Sequence, residues 1–450
     1  MFAKMFVLIK NALYQDLNLH LILIGLISSV GALGFGFDNG WWGGALGLSE
    51  FKKKYGDLRY PSRKASVGTG TGSAGIILGC IIAPLVTSRI GRKKAFLVTS
   101  LLMSAGIVLE VSALTSFWQL VVGRIIVYSG IGLASNFVPM YLSECAPPRI
   151  RGAFLALYSF FTSLGTFLAS VVVYLSQTRH DRWQYLIVIL LVAQEVLLLK
   201  DQVEDQRELH KASSISDCFK GSNLRRTVIA MSVQILQQAQ GVSFIQNFIV
   251  TFMQQLGFPN ALRTNVMVTG CSFAVHVVTF LKIDKVGRRR SLFLGALGLA
   301  VTMLGTGAAT ATGSTAAAFL ILWYYIYGFT WGPGCWVVAA EVGTGQLRER
   351  THFLVSMGSF LTSIPINFAN PYVQANLGGS VTFIYGGFSV VAVIWVLIMI
   401  PETRGRSLEE LDEMFQADVK TRQFKDYQCT GIGAHITHLD EKGVEVVEQE

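Results

Sequence analysis

Two short basic segments, placed alike in the two halves of the chain, constrain its fold more than any other feature. The first reads SRIGRKK over residues 88–94, and the second reads DKVGRRR over residues 284–290. A Glu followed seven positions later by an Arg also recurs, as Glu144 with Arg151 and as Glu341 with Arg348. The basic segments lie 196 positions apart and the two Glu residues 197. Because charged motifs that recur at one offset indicate an internal repeat, the sequence predicts two homologous halves.

Each half carries long apolar stretches that predict membrane-spanning helices. Of the 450 residues, 52% are hydrophobic and only 14% are charged, whereas a soluble domain carries roughly 25% charged residues. A membrane span needs about 20 mainly apolar residues. The sequence therefore predicts an all-α membrane protein of twelve transmembrane helices, six in each half. The predicted spans are 19–43, 66–87, 95–115, 118–141, 153–176, 183–199, 226–255, 264–283, 291–311, 317–340, 351–373 and 380–400.

The distribution of Lys and Arg predicts how these spans are oriented. The net charge is +9, but the basic residues lie largely in short loops between apolar stretches, as the positive-inside rule describes. Nucleic-acid binding is therefore not expected. With an even number of spans, both termini and residues 200–224 are predicted to be cytosolic. The loop between the first two spans opposes this orientation, because it would place outside the basic residues Lys52, Lys53, Lys54, Arg59, Arg63 and Lys64.

The repeated charged residues admit two interpretations. Arg and Lys at a helix end can bind the last carbonyls of that helix or the carboxylates of a neighbouring helix. Such pairs would join the two halves on the cytosolic side and break when that side opens, as alternating access requires. Alternatively, these residues only anchor the helix ends. Recurrence of the Glu–Arg pair favours the gate, whose predicted members are Arg89, Arg92, Glu144, Arg151, Asp284, Arg288, Glu341 and Arg348.

Six motifs, found in order along both halves, resemble the signature set of the sugar porter family. They read RIGRKK at 89–94, GR at 123–124, PMYLSECAPPRIRG at 139–152, DKVGRR at 284–289, GPGCW at 332–336 and PETRGRSLEE at 401–410. This family is a branch of the major facilitator superfamily, and the style of the motifs is similar to that of its fungal members. Each motif alone is weakly specific, but six in order over both halves are very specific, and the resemblance runs from about Gly34 to Phe415.

The resemblance implies the major facilitator fold, in which two six-helix bundles surround a central site. The corresponding units here are an N-terminal bundle at 1–199, a cytosolic linker at 200–224, a C-terminal bundle at 225–400 and a cytosolic tail at 401–450. The family carries a longer linker, built of several short helices, after its sixth span. Because this linker is shortened, the sequence leaves open whether the chain is active.

The resemblance also assigns a proton-coupling site in the first bundle. The stretch FGFD at 35–38 resembles the one whose acid couples protons in the family's symporters, so Asp38 is the predicted proton acceptor. Arg124 matches the arginine that modulates that acid. Independently, a carboxylate within a span is costly and marks a functional site by default. The alternatives are that Asp38 is a solvated or capping residue near the outer mouth and that Arg124 anchors a helix end.

A sugar site is predicted from neutral amides, hydroxyls and one aromatic ring. These groups suit sugar hydroxyls and the C–H face of the ring. Gln237 and Gln238 resemble the family's paired-glutamine motif, and Trp336 matches its stacking tryptophan. The alternative for the glutamines, and equally for Gln234, is hydrogen bonding that joins helices. The complete set of predicted substrate-binding residues is Phe35, Ser159, Gln237, Gln238, Ser243 and Trp336.

Several predicted site positions depart from the family's pattern. Ser159 stands where the family has a glutamine, and Ser243 and Ser359 stand at or near positions where it has asparagines. The tyrosine pair that gates the outside is replaced by Asn247 and Phe248. Because serine reaches less far than Gln or Asn, a roomier pocket and a larger or differently decorated sugar are expected. The first basic segment also has a serine where the family has an aspartate.

The sequence therefore predicts a monomeric sugar transporter in a fungal plasma membrane, with no cofactor and a proton as the coupling ion. The expected partners are a small-molecule sugar and the lipid bilayer. Facilitated diffusion without protons and a non-transporting sugar sensor on the same fold remain as alternatives. No metal site, nucleophile triad or phosphate-binding glycine loop indicates an enzyme. The six cysteines show no CxxC spacing and are predicted to be packing residues.

Overall fold

The computed structural model describes most of the two predicted bundles and the first part of the tail. The described residues are 19–55, 61–113, 116–145, 151–177, 215–258, 260–283, 286–312, 316–343, 347–424 and 426–430. Every regular element in these ranges is a helix. The predicted sixth span and residues 200–214 of the predicted linker lie outside them.

Five helices form the described part of the N-terminal half. They are α1 (Leu19–Ala45), α2 (Ser49–Tyr55), α3 (Pro61–Ser112), α4 (Phe117–Cys145) and α5 (Arg151–Ser176). The first five predicted spans coincide with α1, the two arms of α3, α4 and α5, each within a few residues. The short helix α2 lies in the loop between the first two spans, and its residues Lys53 and Lys54 are exposed.

The two arms of α3 form a hairpin around the first basic segment. A β-carbon placed on Gly75 would lie 2.6 Å from the carbonyl oxygen of Ile125, and one on Gly106 would lie 2.7 Å from the backbone nitrogen of Val127. A straight helix would separate residues 75 and 106 by about 46 Å. Both arms nevertheless pack against the same turn of α4, so the chain reverses between them.

The C-terminal half and the tail contain nine α-helices among their described residues. After a short 3₁₀ helix (Ile215–Phe219) come α6 (Ser222–Ala239), α7 (Val242–Gln255), α8 (Ala261–Lys282), α9 (Arg288–Thr312), α10 (Ala316–Phe329), α11 (Trp331–Val342), α12 (Arg348–Leu377), a second short 3₁₀ helix (Gly378–Ser380), α13 (Val381–Met399) and α14 (Leu408–Gln416). They contain all six predicted spans of this half. Two of those spans are each divided into two helices, namely the seventh into α6 and α7 and the tenth into α10 and α11.

Glycine and proline residues account for both divisions. Between α6 and α7, Gly241 adopts a left-handed backbone conformation with φ of 97°, which other residues disfavour. Pro333 lies in the first turn of α11. Proline has no backbone N–H, which a helix tolerates in its first turn but not in its interior, so a new helix begins here. Where a helix is interrupted, backbone N–H and C=O groups have no partner within the helix and are available to other groups. These breaks are therefore suited to a binding site.

The apolar surface and the hairpin contacts identify the chain as a membrane protein. Eight stretches of the described helices are long and apolar enough to span a membrane by length and composition. Large apolar side chains such as Leu85, Leu294 and Ile398 are more than half exposed, whereas polar residues are gathered inside. A soluble protein has the opposite distribution of apolar and polar side chains, so this surface matches helices that face lipid.

The two halves meet along pairs of helices that correspond between the repeats. The first arm of α3 packs against α12, α5 packs against α8, and α1 packs against α7. The hydroxyl of Ser66 donates to the carbonyl of Phe368 at 2.6 Å, and the hydroxyl oxygens of Ser170 and Thr269 lie 2.7 Å apart. These contacts lie towards the end of the molecule opposite the basic segments, which we call the α2 end; the other is the basic end.

At the basic end, the first part of the tail is folded against the C-terminal half. Helix α14 begins with a capping box, in which Ser407 and Glu410 satisfy each other's backbone N–H groups. The buried Arg226 of α6 forms an ion pair with Asp412 of α14. The described tail is therefore part of the folded structure rather than a loose extension.

Candidate functional site

A buried ion pair occupies the N-terminal half near the α2 end. Asp38 lies about two turns before the end of α1, and Arg124 lies about two turns after the start of α4. Both side chains are fully buried, and Nη1 of Arg124 lies 3.6 Å from Oδ2 of Asp38. The indole N–H of Trp41 donates to Oδ1 of Asp38 at 2.9 Å. Asp38 is therefore neither solvated nor a helix cap, and Arg124 is not a surface anchor.

Further side chains hold the guanidinium of Arg124 in place. Its Nη2 donates to the hydroxyl of Tyr128 at 2.8 Å, and that hydroxyl donates to Oδ1 of Asn39 at 2.9 Å. The ring of Trp42 lies 4.1 Å from the guanidinium carbon, within the range of a cation–π interaction. The arginine is thus stabilised by α1 and α4 together, and any movement between these helices changes its contact with Asp38.

An aromatic series closes the α2 end above this ion pair. Trp42 contacts Phe51 edge-on at a centroid distance of 5.8 Å, Phe51 contacts Tyr55 at 5.2 Å, and Tyr55 contacts Phe117 at 6.2 Å. The hydroxyl of Tyr55 donates to the carbonyl of Ala113 at 2.6 Å. Helix α2 therefore covers the ion pair and separates it from solvent at this end.

The predicted glutamines lie at the breaks of the two divided spans. Nε2 of Gln237, near the end of α6, lies 2.9 Å from the carbonyl oxygen of Trp331 and 3.3 Å from that of Gly332, at the start of α11. Nε2 of Gln238 donates to the hydroxyl of Ser359 on α12 at 3.1 Å, and Oε1 accepts from Ser243 at 2.6 Å. The amides thus join four helices around one polar region.

This polar region continues to the N-terminal half. The amide of Asn247 donates to the backbone of Ser243 at 3.0 Å and lies 3.4 Å from Oδ1 of Asn367. The amide of Asn367 in turn donates to the hydroxyl of Ser73 on α3 at 2.7 Å. A continuous set of hydroxyls and amides therefore crosses the seam between the halves, as a site between two moving bundles requires.

The predicted stacking tryptophan contacts the opposite half. Trp336 of α11 is partly exposed, and its ring lies 5.8 Å from the ring of Tyr158 on α5. Ser159 follows Tyr158 and is nearly buried, while Phe35 of α1 is partly buried against the main apolar core. By contrast, Trp331 is fully buried and donates its indole N–H to the carbonyl of Leu292 at 2.9 Å, so it serves packing.

A second buried ion pair lies at the basic end. Nη2 of Arg288 donates to Oε1 of Glu341 at 2.8 Å, and both side chains are buried. The hydroxyl of Thr403 donates to Oε2 of the same carboxylate at 2.6 Å. Glu402 accepts from the backbone N–H of Arg288 at 2.7 Å and so caps the start of α9. The last motif of the sequence therefore binds the second basic segment. All of these residues belong to the C-terminal half and the tail, so the pair of Arg288 and Glu341 does not join the two halves, contrary to the expectation from the sequence.

The remaining predicted gate residues are described only in part. Arg89 is exposed, and Arg348 is buried at the start of α12. The side chains of Arg92, Glu144 and Arg151, together with all of Asp284, lie outside the described part of the chain. Across the halves at this end, the hydroxyl of Thr87 donates to Oε1 of Glu349 at 2.8 Å.

A contact between α2 and α7 joins the halves at the α2 end. Nζ of Lys52 donates to Oε1 of Gln254 at 2.8 Å, and Nε2 of Gln254 donates to the carbonyl of Gly47 at 2.8 Å. Partial desolvation lowers the pKa of Lys52 from its usual value, although the residue as a whole is exposed. The amide of Gln254 thus holds the connection after α1 against the other half.

Comparison with known proteins identifies the family. The model for the family described as "Sugar (and other) transporter" matches residues 24–199 and 190–415. The chain belongs to this transporter family. It is 27% identical over 491 residues to the major facilitator-type transporter ecdD of Aspergillus rugulosus, covering 91% of this chain and 90% of that protein. It is 26% identical to a high glucose sensor of Saccharomyces cerevisiae, covering 91% of this chain but only 62% of the sensor.

Solved structures show the same fold at lower sequence identity. The proton:xylose symporter XylE bound to 6-bromo-6-deoxy-D-glucose superposes with a TM-score of 0.75 at 21% identity, covering 88% of this chain and 99% of XylE. An inward-open structure of XylE from E. coli gives a TM-score of 0.71 at 22% identity, covering 88% and 99%. This member of the sugar transporter family therefore has the twelve-helix major facilitator fold, and it is not an enzyme.

Three polar residues of this transporter's site were not predicted from its sequence. Asn367 connects the amide network to the other half, and Glu402 caps α9. Glu110, on the second arm of α3, is fully buried and interacts with Arg124. An acid and an amide within apolar spans signal buried polar contacts, but their partners are known only from the packing.

Proposed function

We propose that this chain carries a sugar across the plasma membrane by alternating access, together with a proton. The buried pair of Asp38 and Arg124 is the single observation that supports coupling most strongly. A carboxylate and an arginine within the membrane are costly and are retained where an ion or proton is handled. The proton:xylose symporter that shares the fold provides a parallel for this coupling.

In the proposed cycle, Asp38 binds a proton from outside and releases it inside. Arg124 favours the ionised carboxylate when it is close and the protonated carboxyl when it moves away. Because Arg124 is held by side chains of both α1 and α4, a small rotation of these helices alters the separation. Proton release is thereby linked to the rearrangement of the bundle.

The sugar binds where the two divided spans face the N-terminal half. Gln237 and Gln238 supply amide groups for hydroxyls, with Ser243 and Ser159 beside them. Trp336 supplies an aromatic face for the C–H surface of a sugar ring. Serine side chains are shorter than the Gln and Asn side chains of the family, which leaves a wider pocket. We therefore propose a substrate larger than a plain hexose. Sugar acids and polyols share this chemistry and belong in the same substrate panel.

The basic end is proposed to face the cytosol, with both termini on that side. The ion pair of Arg288 and Glu341, together with the hydrogen bond from Thr403, then holds the cytosolic ends of α9 and α11 against the tail. The contacts of Lys52 and Gln254 close the outer side. In this arrangement the transporter is closed to the outside, and opening it to the outside requires the contacts of Lys52 and Gln254 to break.

Uptake with and without a proton gradient tests the proposal. Radiolabelled sugars are offered to a yeast that lacks its own hexose carriers and expresses the full chain. A symporter accumulates its sugar, and a protonophore abolishes that accumulation. Asp38→Asn should abolish accumulation but retain exchange of labelled for unlabelled sugar, because exchange needs no net proton movement. Accumulation that persists in Asp38→Asn would overturn the role of Asp38.

The sensor is a second candidate, because a glucose sensor is among the relatives that match over 91% of this chain. A sensor would signal through its tail while transporting nothing. Deletion of residues 431–450 therefore separates the candidates, since a transporter should keep its uptake and a sensor should lose its signal. Uptake that is equal at every pH and never exceeds equilibrium would instead indicate a facilitator.

A further inference from the structure

Glu110 is a fully buried acid that the proposed cycle does not yet use. It lies on α3, two residues before that helix ends at Ser112. Neither of its carboxylate oxygens has a hydrogen-bond partner within the described ranges. An ionised carboxylate is strongly disfavoured inside an apolar bundle unless it is paired. Its presence at this position therefore requires a partner or a proton.

The packing places Glu110 beside the ion pair of the first bundle. A β-carbon on Gly123 would lie 2.7 Å from Cγ of Glu110, so the acid lies against the residue that precedes Arg124. The charged groups that interact with it among the described residues are Asp38 on α1 and Arg124 on α4. The neutral phenol of Tyr128 on α4 also interacts with it. Two carboxyl groups and one guanidinium thus lie in the same buried region.

Several donors and acceptors of this cluster form no hydrogen bond among the described residues, which favours exchange of partners between the two acids and Arg124. Nη2 of Arg124 is used by Tyr128, but Nε and Nη1 form no hydrogen bond with any described residue. The same holds for Oδ2 of Asp38 and both oxygens of Glu110. A guanidinium forms its strongest, bidentate contact with one carboxylate at a time. Asp38, whose Oδ2 lies 3.6 Å from Nη1, and Glu110 therefore compete for hydrogen bonds from Nε and Nη1.

The charges of the cluster determine how many protons it holds. With both acids ionised, the three groups carry a net charge of about −1 without solvent to stabilise it. With one proton bound, the cluster is neutral. We propose that Glu110 is a second proton-binding carboxyl, which shares Arg124 with Asp38 so that one acid is protonated while the other pairs with the arginine. This rests on the proposed symport and adds a residue to its coupling site.

Infrared spectroscopy of the purified full chain tests the shared proton without any transport. A protonated carboxyl gives a C=O stretching band that shifts in D₂O and is distinct from the band of a carboxylate. We expect this band in the unaltered protein and its loss in Glu110→Gln, where Asp38 alone neutralises Arg124. Glu341→Gln is the matched control, because it removes a buried acid that is already paired with Arg288, and it should retain the band. A band that persists in Glu110→Gln would overturn the proposal.

The pH dependence of uptake tests the competition for Arg124. In Glu110→Gln, only one of the two acids of the cluster remains, so the pH profile of uptake should shift away from that of the unaltered protein. Glu110→Asp keeps the carboxyl and should remain near the unaltered profile. An unchanged profile in Glu110→Gln contradicts the competition. If no sugar is transported at all, the proposed function fails, whereas the infrared band still decides whether Glu110 binds a proton.

Discussion

Gly241 determines how the seventh span is divided and therefore where the glutamines lie. Its φ of 97° is strained for any residue with a side chain. A β-carbon there would also lie 2.9 Å from Cγ of the Tyr385 ring. We expect Gly241→Ala to destabilise the protein by at least about 1–2 kcal/mol from the backbone alone, with weakened sugar binding. Thermal unfolding in detergent measures the first effect and ligand binding the second.

Gly387→Ala is the control for this substitution. Gly387 lies within α13 and faces outwards, and a β-carbon added there would meet no other atom within 4 Å. Alanine is the better helix former by about 1 kcal/mol, so this variant should unfold at the same temperature or a higher one. Equal destabilisation by the two substitutions would show that neither the φ of Gly241 nor Tyr385 matters.

At the scale of elements, the loop after α13 stabilises the start of α9. Glu402 accepts from the backbone N–H of Arg288, and its negative charge lies at the positive end of the helix dipole. Glu402→Ala should lower the free energy of unfolding by about 0.5–2 kcal/mol. Exposed Glu409, in the first turn of α14, provides the comparison. Its replacement by Ala should cost about 0.3–1 kcal/mol, and an equal or larger effect of Glu409→Ala would contradict the capping role.

The repeat and the apolar stretches were sufficient to predict the existence and order of the membrane-spanning helices among the described residues, because span length and hydropathy are local properties. The divisions of spans seven and ten were not predicted, since residues 226–255 and 317–340 are apolar enough to read as single helices. For the site, the motifs predicted that Asp38 and Arg124 act together in proton coupling. The two side chains form an ion pair at 3.6 Å, and their role in coupling stays a prediction. Asn367 belongs to no quoted motif, and its contact with Ser73 depends on how the halves pack.

For the whole molecule, alternating access requires the halves to separate at the α2 end. The hydroxyl oxygens of Ser170 on α5 and Thr269 on α8 lie 2.7 Å apart across the seam, so cysteines at these positions should form a disulfide. Exposed Cys271 lies two residues away on the same helix and is first replaced by Ser. Oxidation of the double variant Ser170→Cys/Thr269→Cys should then abolish uptake, and a reductant should restore it. Both single variants should be insensitive to oxidant. Full uptake by the oxidised double variant, with the disulfide verified by mass spectrometry, would mean that this seam does not open during transport.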